Sequence, residues 1–119
     1  MKKIILTLLV MSEAAFGAYK LKGLSDVTVT SAGTRVQLTS SNILTPSVCI
    51  EAKSTNAGKV YVGDSNVTSS LGIELQAGQS ICFDGGRVPG FDMIDLSTIY
   101  LDASTSTQVA KITYFVYSN

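Results

Sequence analysis

The stretch KVYVGDSNVT at residues 59–68, followed by GIELQAGQSI at residues 72–81, decides the fold of this chain. Val60 and Val62 lie on one face of a strand and Tyr61 on the other, because side chains alternate with a period of two residues. Residues 63–66, Gly-Asp-Ser-Asn, are all turn formers, and Ala-Gly at residues 77–78 marks a second turn. The pattern therefore predicts one strand, a chain reversal and two further short strands.

Most of the remaining sequence follows the same alternation. Residues 27–30 and 36–39 alternate apolar with polar residues around a loop that contains Gly33, which predicts a hairpin. No apolar repeat at helical spacing occurs after the N-terminal run. About eight short strands joined by turn residues predict an all-β chain, an antiparallel β-sandwich of jelly-roll type with an extended N-terminal arm. The predicted strands beyond the hairpin are residues 48–52, 59–63, 72–75, 79–83, 98–103 and 109–117.

Composition excludes several classes of function. Lys plus Arg number nine and Asp plus Glu number nine, and this balance argues against a nucleic-acid partner, which requires an excess of basic residues. The chain has no His, so the usual Ser-His and Cys-His nucleophile pairs and most zinc sites are missing. We therefore expect no enzyme, no cofactor, no metal and no small-molecule substrate. Charged residues make up only 15% of the chain, which fits a surface packed against neighbouring proteins.

The opening stretch, taken with IDLSTIYLDAS at residues 94–104, resembles a recurring module in small structural proteins of tailed-bacteriophage virions. The resemblance covers residues 47–104, and the connection at residues 84–93 is longer than in the module. It implies a virion part, for which we expect a jelly-roll decoration or cement subunit that bridges major capsid subunits. A head-fibre base or a neck or tail adaptor is the alternative within the same class. We expect a homo-oligomer, a trimer by preference, located in the virion after assembly in the host cytoplasm.

The N-terminus has two interpretations. Met1-Lys2-Lys3 precedes an apolar run at residues 4–11, and small residues at positions 15 and 17 precede Ala18, which is the form of a cleaved secretory signal. Ser12 and Glu13 interrupt the run, which is short for such a signal. The favoured interpretation is an apolar arm at residues 1–24 that docks on a neighbouring subunit, followed by a sandwich domain at residues 25–119. The alternative is a signal peptide at residues 1–17.

Two cysteines, Cys49 and Cys82, occupy the middle of predicted strands. Val48 and Ile50 occupy the core face of the first strand, and Ile81 and Phe83 occupy that of the second. Both thiols therefore point to the opposite face of their strands. A disulfide is conceivable if the two strands are neighbours. We expect instead two reduced thiols during cytoplasmic assembly. A bridge would favour an exported, secreted or periplasmic β-sandwich with an adhesive or carbohydrate-binding role.

Partner contacts are predicted in two segments. The first is the arm, whose apolar side chains would be buried on a neighbour. The second is the long connection at residues 84–93, because long loops on rigid sandwiches carry contacts and Arg, Phe and Met are enriched at interfaces. The alternative for the second is a surface loop whose apolar residues pack onto the edge of the core. The predicted contact residues are Ile4, Ile5, Leu8, Leu9, Phe16 and Tyr19 in the arm, and Arg87, Phe91 and Met93 in the loop.

Overall fold

The computed structural model describes residues 18–85 and 92–118. Within these residues the chain is nearly all β, with one short 3-10 helix at Leu96–Thr98. The strands are β1 (Ala18–Val29), β2 (Val36–Gln37), β3 (Leu44–Thr45), β4 (Ser47–Ala52), β5 (Val60–Gly63), β6 (Ile73–Leu75), β7 (Ser80–Asp84), β8 (Ile94–Asp95), β9 (Tyr100–Ala103) and β10 (Gln108–Ser118).

Eight of these strands form two four-stranded antiparallel sheets, with the orders β1-β10-β4-β7 and β2-β9-β5-β6. Among the eight, only β5 and β6 are successive in the chain and paired in the same sheet, so the other connections cross between the sheets. This alternation is the connectivity of a double-sheet jelly roll. β3 and β8 form a separate two-stranded ladder. The predicted all-β sandwich of jelly-roll type is confirmed.

The hairpin predicted at residues 27–39 is wrong. β1 pairs with β10 and β2 pairs with β9, so the chain crosses from one sheet to the other between them. The crossing loop is held by Asp102, whose Oδ1 accepts a hydrogen bond of 2.8 Å from the backbone N–H of Gly33. Gly33 has a φ of 84°, which glycine adopts without steric cost. A glycine turn between two alternating segments is thus also compatible with a change of sheet.

The core lies between the two sheets and is built by the alternation seen in the sequence. Val48, Ile50 and Ala52 of β4 are fully buried, and Leu96 closes the core from the 3-10 helix. Since these side chains meet those of the facing sheet, the two sheets are held together by apolar burial. The other core members are Val29, Leu38, Val60, Val62, Leu75, Leu101, Ala103, Ala110, Ile112 and Tyr114.

The segment that carries the virion resemblance, residues 47–104, contributes strands to both sheets: β4 and β7 to one, and β5, β6 and β9 to the other. β5 and β6 form the predicted reversal, and in the turn between them Asp64 Oδ1 accepts a hydrogen bond of 2.9 Å from the N–H of Asn66. A Cβ at Gly72 would lie 2.7 Å from Cγ2 of Val67, so this position requires glycine. Further on, Ser104 Oγ accepts a hydrogen bond of 2.8 Å from the N–H of Lys59. The polar residues of the segment therefore serve the turns and edges of the fold.

Cys49 and Cys82 form a disulfide, so the expectation of reduced thiols is wrong. The two residues are direct partners in the β4–β7 ladder, with their Cα atoms 4.0 Å apart. Two cysteines opposite each other in neighbouring strands lie within bridging distance. Both face away from the core, as the alternation predicted, and Cys82 is exposed.

Residues 18–24, which the sequence interpretation assigned to the arm, are part of the sheet. β1 starts at Ala18, opposite Ser118 of β10, and the pairing continues to Leu24 opposite Ile112. The predicted boundary at residue 24 thus falls inside β1. Residues 1–17, where the rest of the arm or the alternative signal peptide was predicted, lie outside the described residues.

Candidate assembly surfaces

The first candidate surface is a two-stranded ribbon, formed by Ala18–Leu21 of β1 and Phe115–Ser118 of β10. β10 pairs with β4 only as far as Tyr114 opposite Val48, whereas its pairing with β1 continues to Ser118. Where β4 stops, the hydroxyl of Thr45 takes its place. Thr45 Oγ1 donates to the carbonyl of Phe115 at 2.7 Å and accepts from its N–H at 3.2 Å. The ribbon therefore extends past the third strand of its sheet.

One face of the ribbon is apolar, and we call it the ribbon face: Tyr19, Leu21, Phe115 and Tyr117. Tyr19 pairs with Tyr117 and Leu21 with Phe115, so the four side chains lie on the same side. This side is opposite to that of Ile112 and Tyr114, which are buried in the core. The two tyrosine rings meet edge to face, with centroids 5.3 Å apart.

The ribbon face is accessible to a partner, above all at its aliphatic side chain. Leu21 is 67% exposed and Tyr19 is 38% exposed. β1 is also the terminal strand of its sheet among the described residues, so its outer edge faces no further strand of that sheet. Scattered single apolar residues are normal on a protein surface, but four on one face of a ribbon form a patch that a partner can bury.

The second candidate surface is a groove of about 430 Å³ between the edges of the two sheets. β6 and β7, which flank it, are the terminal strands of their sheets in the described part of the chain. Its apolar lining is Val62, Ile73, Phe83, Ile94 and Ile99, with Gly63 and Thr98.

The charged groups in the groove lining are both carboxylates, Asp64 and Asp84. Asp64 accepts from the N–H of Asn66, and Asp84 accepts from the hydroxyl of Ser47 at 2.8 Å. Over residues 18–85 and 92–118, the one ion pair is Lys59 with Glu74 at 3.3 Å, so neither carboxylate has a cationic partner there. An apolar groove with unneutralised carboxylates favours a ligand that is apolar and basic.

The structure places two of the nine predicted contact residues. Tyr19 lies on the ribbon face, and Met93 is half-buried directly before β8. The two residues therefore belong to different surfaces, since Met93 adjoins Ile94 of the groove. The other seven lie outside the described residues: Ile4, Ile5, Leu8, Leu9, Phe16, Arg87 and Phe91.

Sequence reasoning missed most of the ribbon face and all of the groove. The signal for the ribbon face was available, because Tyr19 and Leu21 alternate with Lys20 and Lys22 as in a strand. The assignment of these residues to the arm concealed it. The groove has no comparable signal, since its lining comes from strands that are distant in sequence and belong to both sheets.

Metal-ligand clusters, free thiols and unpaired buried polar groups are not found in the described ranges. These ranges contain no group of three or more His, Cys, Asp or Glu residues arranged to hold a metal ion, and no free cysteine. Every buried side-chain nitrogen or oxygen described has a hydrogen-bond partner. The same residues contain no helix with the length and apolarity needed to cross a membrane.

Comparison with known proteins adds no relative to this description. No family model, no curated protein and no solved structure matches the chain.

Proposed function

We propose that this protein is a non-enzymatic structural subunit of a tailed-phage virion, a capsid decoration or cement protein that bridges major capsid subunits. The observation that carries the proposal is the ribbon, which presents Tyr19, Leu21, Phe115 and Tyr117 on one face past the end of β4. The setting comes from the resemblance of residues 47–104 to virion structural proteins. The jelly roll is an architecture that viral capsid proteins use, which supports the same setting by analogy.

The mechanism is adhesion by burial of apolar surface. Full burial of an exposed Leu or Phe side chain is worth about 1.5–3 kcal/mol, so one ribbon face supplies a modest contact. Repetition over a shell and several copies per oligomer convert modest contacts into high avidity. A homo-oligomer, with a trimer preferred, is part of the proposal because it multiplies the ribbons that reach the shell. A head-fibre base or a neck or tail adaptor would use the same mechanism at another position in the virion.

The test is co-sedimentation with particles of the phage that encodes the chain. Leu21→Glu places a charge in the centre of the ribbon face, and we expect its bound fraction at limiting concentration to fall at least about tenfold, because a buried unpaired carboxylate is strongly unfavourable. Leu44→Glu is the matched control, since Leu44 is a leucine of β3 that is 55% exposed. Equal binding of both variants would contradict the proposal, and so would absence of the wild-type chain from purified particles.

A second candidate function is an exported β-sandwich with an adhesive or carbohydrate-binding role, and one observation favours it. The Cys49–Cys82 disulfide is typical of an oxidising compartment. Lectin domains also use the jelly roll.

Intact mass of the native protein without reductant separates the two functions. A bridged chain that retains residues 2–17 supports the virion subunit, with oxidation after release of the particle. A bridged chain that begins at Ala18 supports the exported domain. Since both forms are two hydrogens lighter than the reduced chain, the N-terminal residue is the difference that this mass reports.

A further inference from the structure

We propose that the Cys49–Cys82 bridge is a thiol–disulfide exchange site that opens and closes in the folded protein, with small thiols and small disulfides as its substrates. This site goes beyond the proposed function, because it depends on how β7 is held and not on what the protein binds.

The bridge lies on the outer face of its sheet, where a small molecule can approach it. Both cysteines face away from the core, and Cys82 is exposed whereas Cys49 is half-buried. β7 is the terminal strand of its sheet in the described part of the chain, so no further strand of that sheet flanks Cys82. Exchange requires that a thiolate reach a disulfide sulfur. At Cys82 this approach needs no opening of the sandwich.

Backbone hydrogen bonds hold both ends of β7 independently of the bridge. Before the strand, the N–H of Ala52 donates to the carbonyl of Gln79 at 2.8 Å, and the N–H of Gly78 donates to the carbonyl of Ala52 at 2.8 Å. After the strand, the N–H of Gly85 donates to the carbonyl of Pro46 at 2.6 Å. These bonds join the two flanks of β7 to the two ends of β4, so the register of the pair is kept when the sulfur atoms separate.

Side chains hold β7 on both of its faces as well. Ile81 and Phe83 are partly buried and pack against the core. On the outer face, the hydroxyl of Ser47 donates to Oδ1 of Asp84 at 2.8 Å. The fold therefore places the two cysteines opposite each other without help from the bridge, and closure requires no rearrangement of the strands. The bridge stabilises the sandwich but is not needed to form it.

The closing step uses a small disulfide, RSSR, as the oxidant. The Cys82 thiolate attacks one sulfur of RSSR, so a mixed disulfide forms on Cys82 and the first RS⁻ leaves. The Cys49 thiolate then attacks Cys82 Sγ, so the bridge forms and the second RS⁻ leaves. The two protons lost by the cysteines end on the two leaving groups, which gives two molecules of RSH. Opening is the reverse reaction, with two molecules of RSH as the reductant.

Exchange in the folded state makes the bridge compatible with assembly in a reducing compartment, a consequence that rests on the proposed function. Thiols in the cytosol are kept reduced. A subunit that folds without the bridge can join the shell with two free thiols, and the bridge can close in place once the particle is in an oxidising medium.

The first test is the rate at which dithiothreitol opens the bridge in the full chain, measured by mass after alkylation. Leu101→Ala removes a fully buried side chain from β9, in the opposite sheet, and should raise the population of unfolded chain at least about 30-fold. We expect the opening rate to stay within about twofold of the wild type, because a site that opens in the folded state does not depend on this population.

Urea provides a second measurement that does not depend on a variant. The opening rate of the wild type is followed at urea concentrations below its unfolding transition. Opening that required global unfolding would accelerate steeply, since urea raises the unfolded population in proportion to the surface exposed. We expect a rate that is nearly constant over this range.

Closure is tested from the reduced chain. In dithiothreitol this chain should keep the circular dichroism spectrum of the native protein and a cooperative unfolding transition. A matched pair of single variants then identifies the sulfur that is attacked first. With glutathione disulfide, Cys49→Ser should form a mixed disulfide at Cys82 faster than Cys82→Ser forms one at Cys49, because Cys82 is the exposed partner.

Three results would overturn the inference: an opening rate that follows the unfolded population in Leu101→Ala or in urea, a reduced chain without a cooperative transition, or faster attack at Cys49 than at Cys82. All of these measurements use the isolated chain. Their failure therefore leaves the binding to particles as co-sedimentation shows it, and absence of binding to particles leaves the exchange site in place.

Discussion

The sandwich and the ribbon are built from the same kind of sequence and differ in what covers them. In β4, Val48 and Ile50 alternate with outward residues and are fully buried between two sheets. In the ribbon, Tyr19 and Leu21 alternate in the same way, but Leu21 is 67% exposed because its side chain lies on the face of the sheet that points away from the core. Alternation therefore identifies a strand, and the presence of a facing sheet determines whether its apolar face belongs to the core or to a surface for a partner.

Among the substitutions that test this comparison, one in the sandwich core should have the largest effect on the free energy of unfolding. Ile50→Ala removes a fully buried side chain, and we expect it to lower the free energy of unfolding by about 2–5 kcal/mol through lost burial and the cavity that remains. Chemical denaturation followed by circular dichroism measures the change. Ile73→Ala, at a position that is 38% exposed, is the control and should cost clearly less. Similar costs at both positions would mean that Ile50 is not in the core.

The second-largest effect should come from the disulfide, which joins β7 to β4. The bridge links residues 33 positions apart, and the chain-entropy estimate for a loop of that size gives about 2–4 kcal/mol of stabilisation. We expect the double variant Cys49→Ser with Cys82→Ser to unfold at correspondingly lower denaturant concentration. The wild type measured with and without reductant is the internal control. Reductant should shift the wild type and leave the double variant unchanged, and a shift of both would point to another cause.

These two sites also show how far the sequence alone was informative. Alternation located the strands and placed Val48 and Ile50 inside and Cys49 outside, because these are local properties of one strand. The partner of each strand is a nonlocal property. The β1–β2 hairpin was therefore predicted wrongly, and the disulfide was considered but not preferred, since nothing local shows that β4 and β7 are neighbours.

The same limit applies to the candidate surfaces. Tyr19 was predicted as a contact because it is apolar and near the N-terminus, and its place on the ribbon face follows only from its pairing with Tyr117. The groove forms where the edges of the two sheets meet, so its position cannot be predicted from any single segment of the sequence. Residues 86–91, which supplied Arg87 and Phe91 as predicted contacts, stay a sequence prediction.

A third, smaller effect should appear at the junction between the two regions. Thr45 is fully buried, and its hydroxyl bonds both backbone groups of Phe115. Thr45→Val keeps the shape and removes the hydroxyl, so we expect a cost of about 1–3 kcal/mol for the backbone groups left unpaired. Hydrogen exchange of the Phe115 amide should accelerate more than that of Ile50 in β4. Uniform acceleration would mean that the junction does not separate the ribbon from the sandwich.

The smallest effect on stability should come from the ribbon face itself. Leu21→Glu changes a side chain that is 67% exposed in the monomer, and surface substitutions of this kind usually alter the free energy of unfolding by no more than about 0.5 kcal/mol. The same substitution should abolish most binding to particles, so stability and binding are predicted to separate at this residue. A loss of stability comparable with that of Ile50→Ala would show that Leu21 is covered within its own chain. In that case the difference between the two regions would disappear, and the ribbon face would be part of the core.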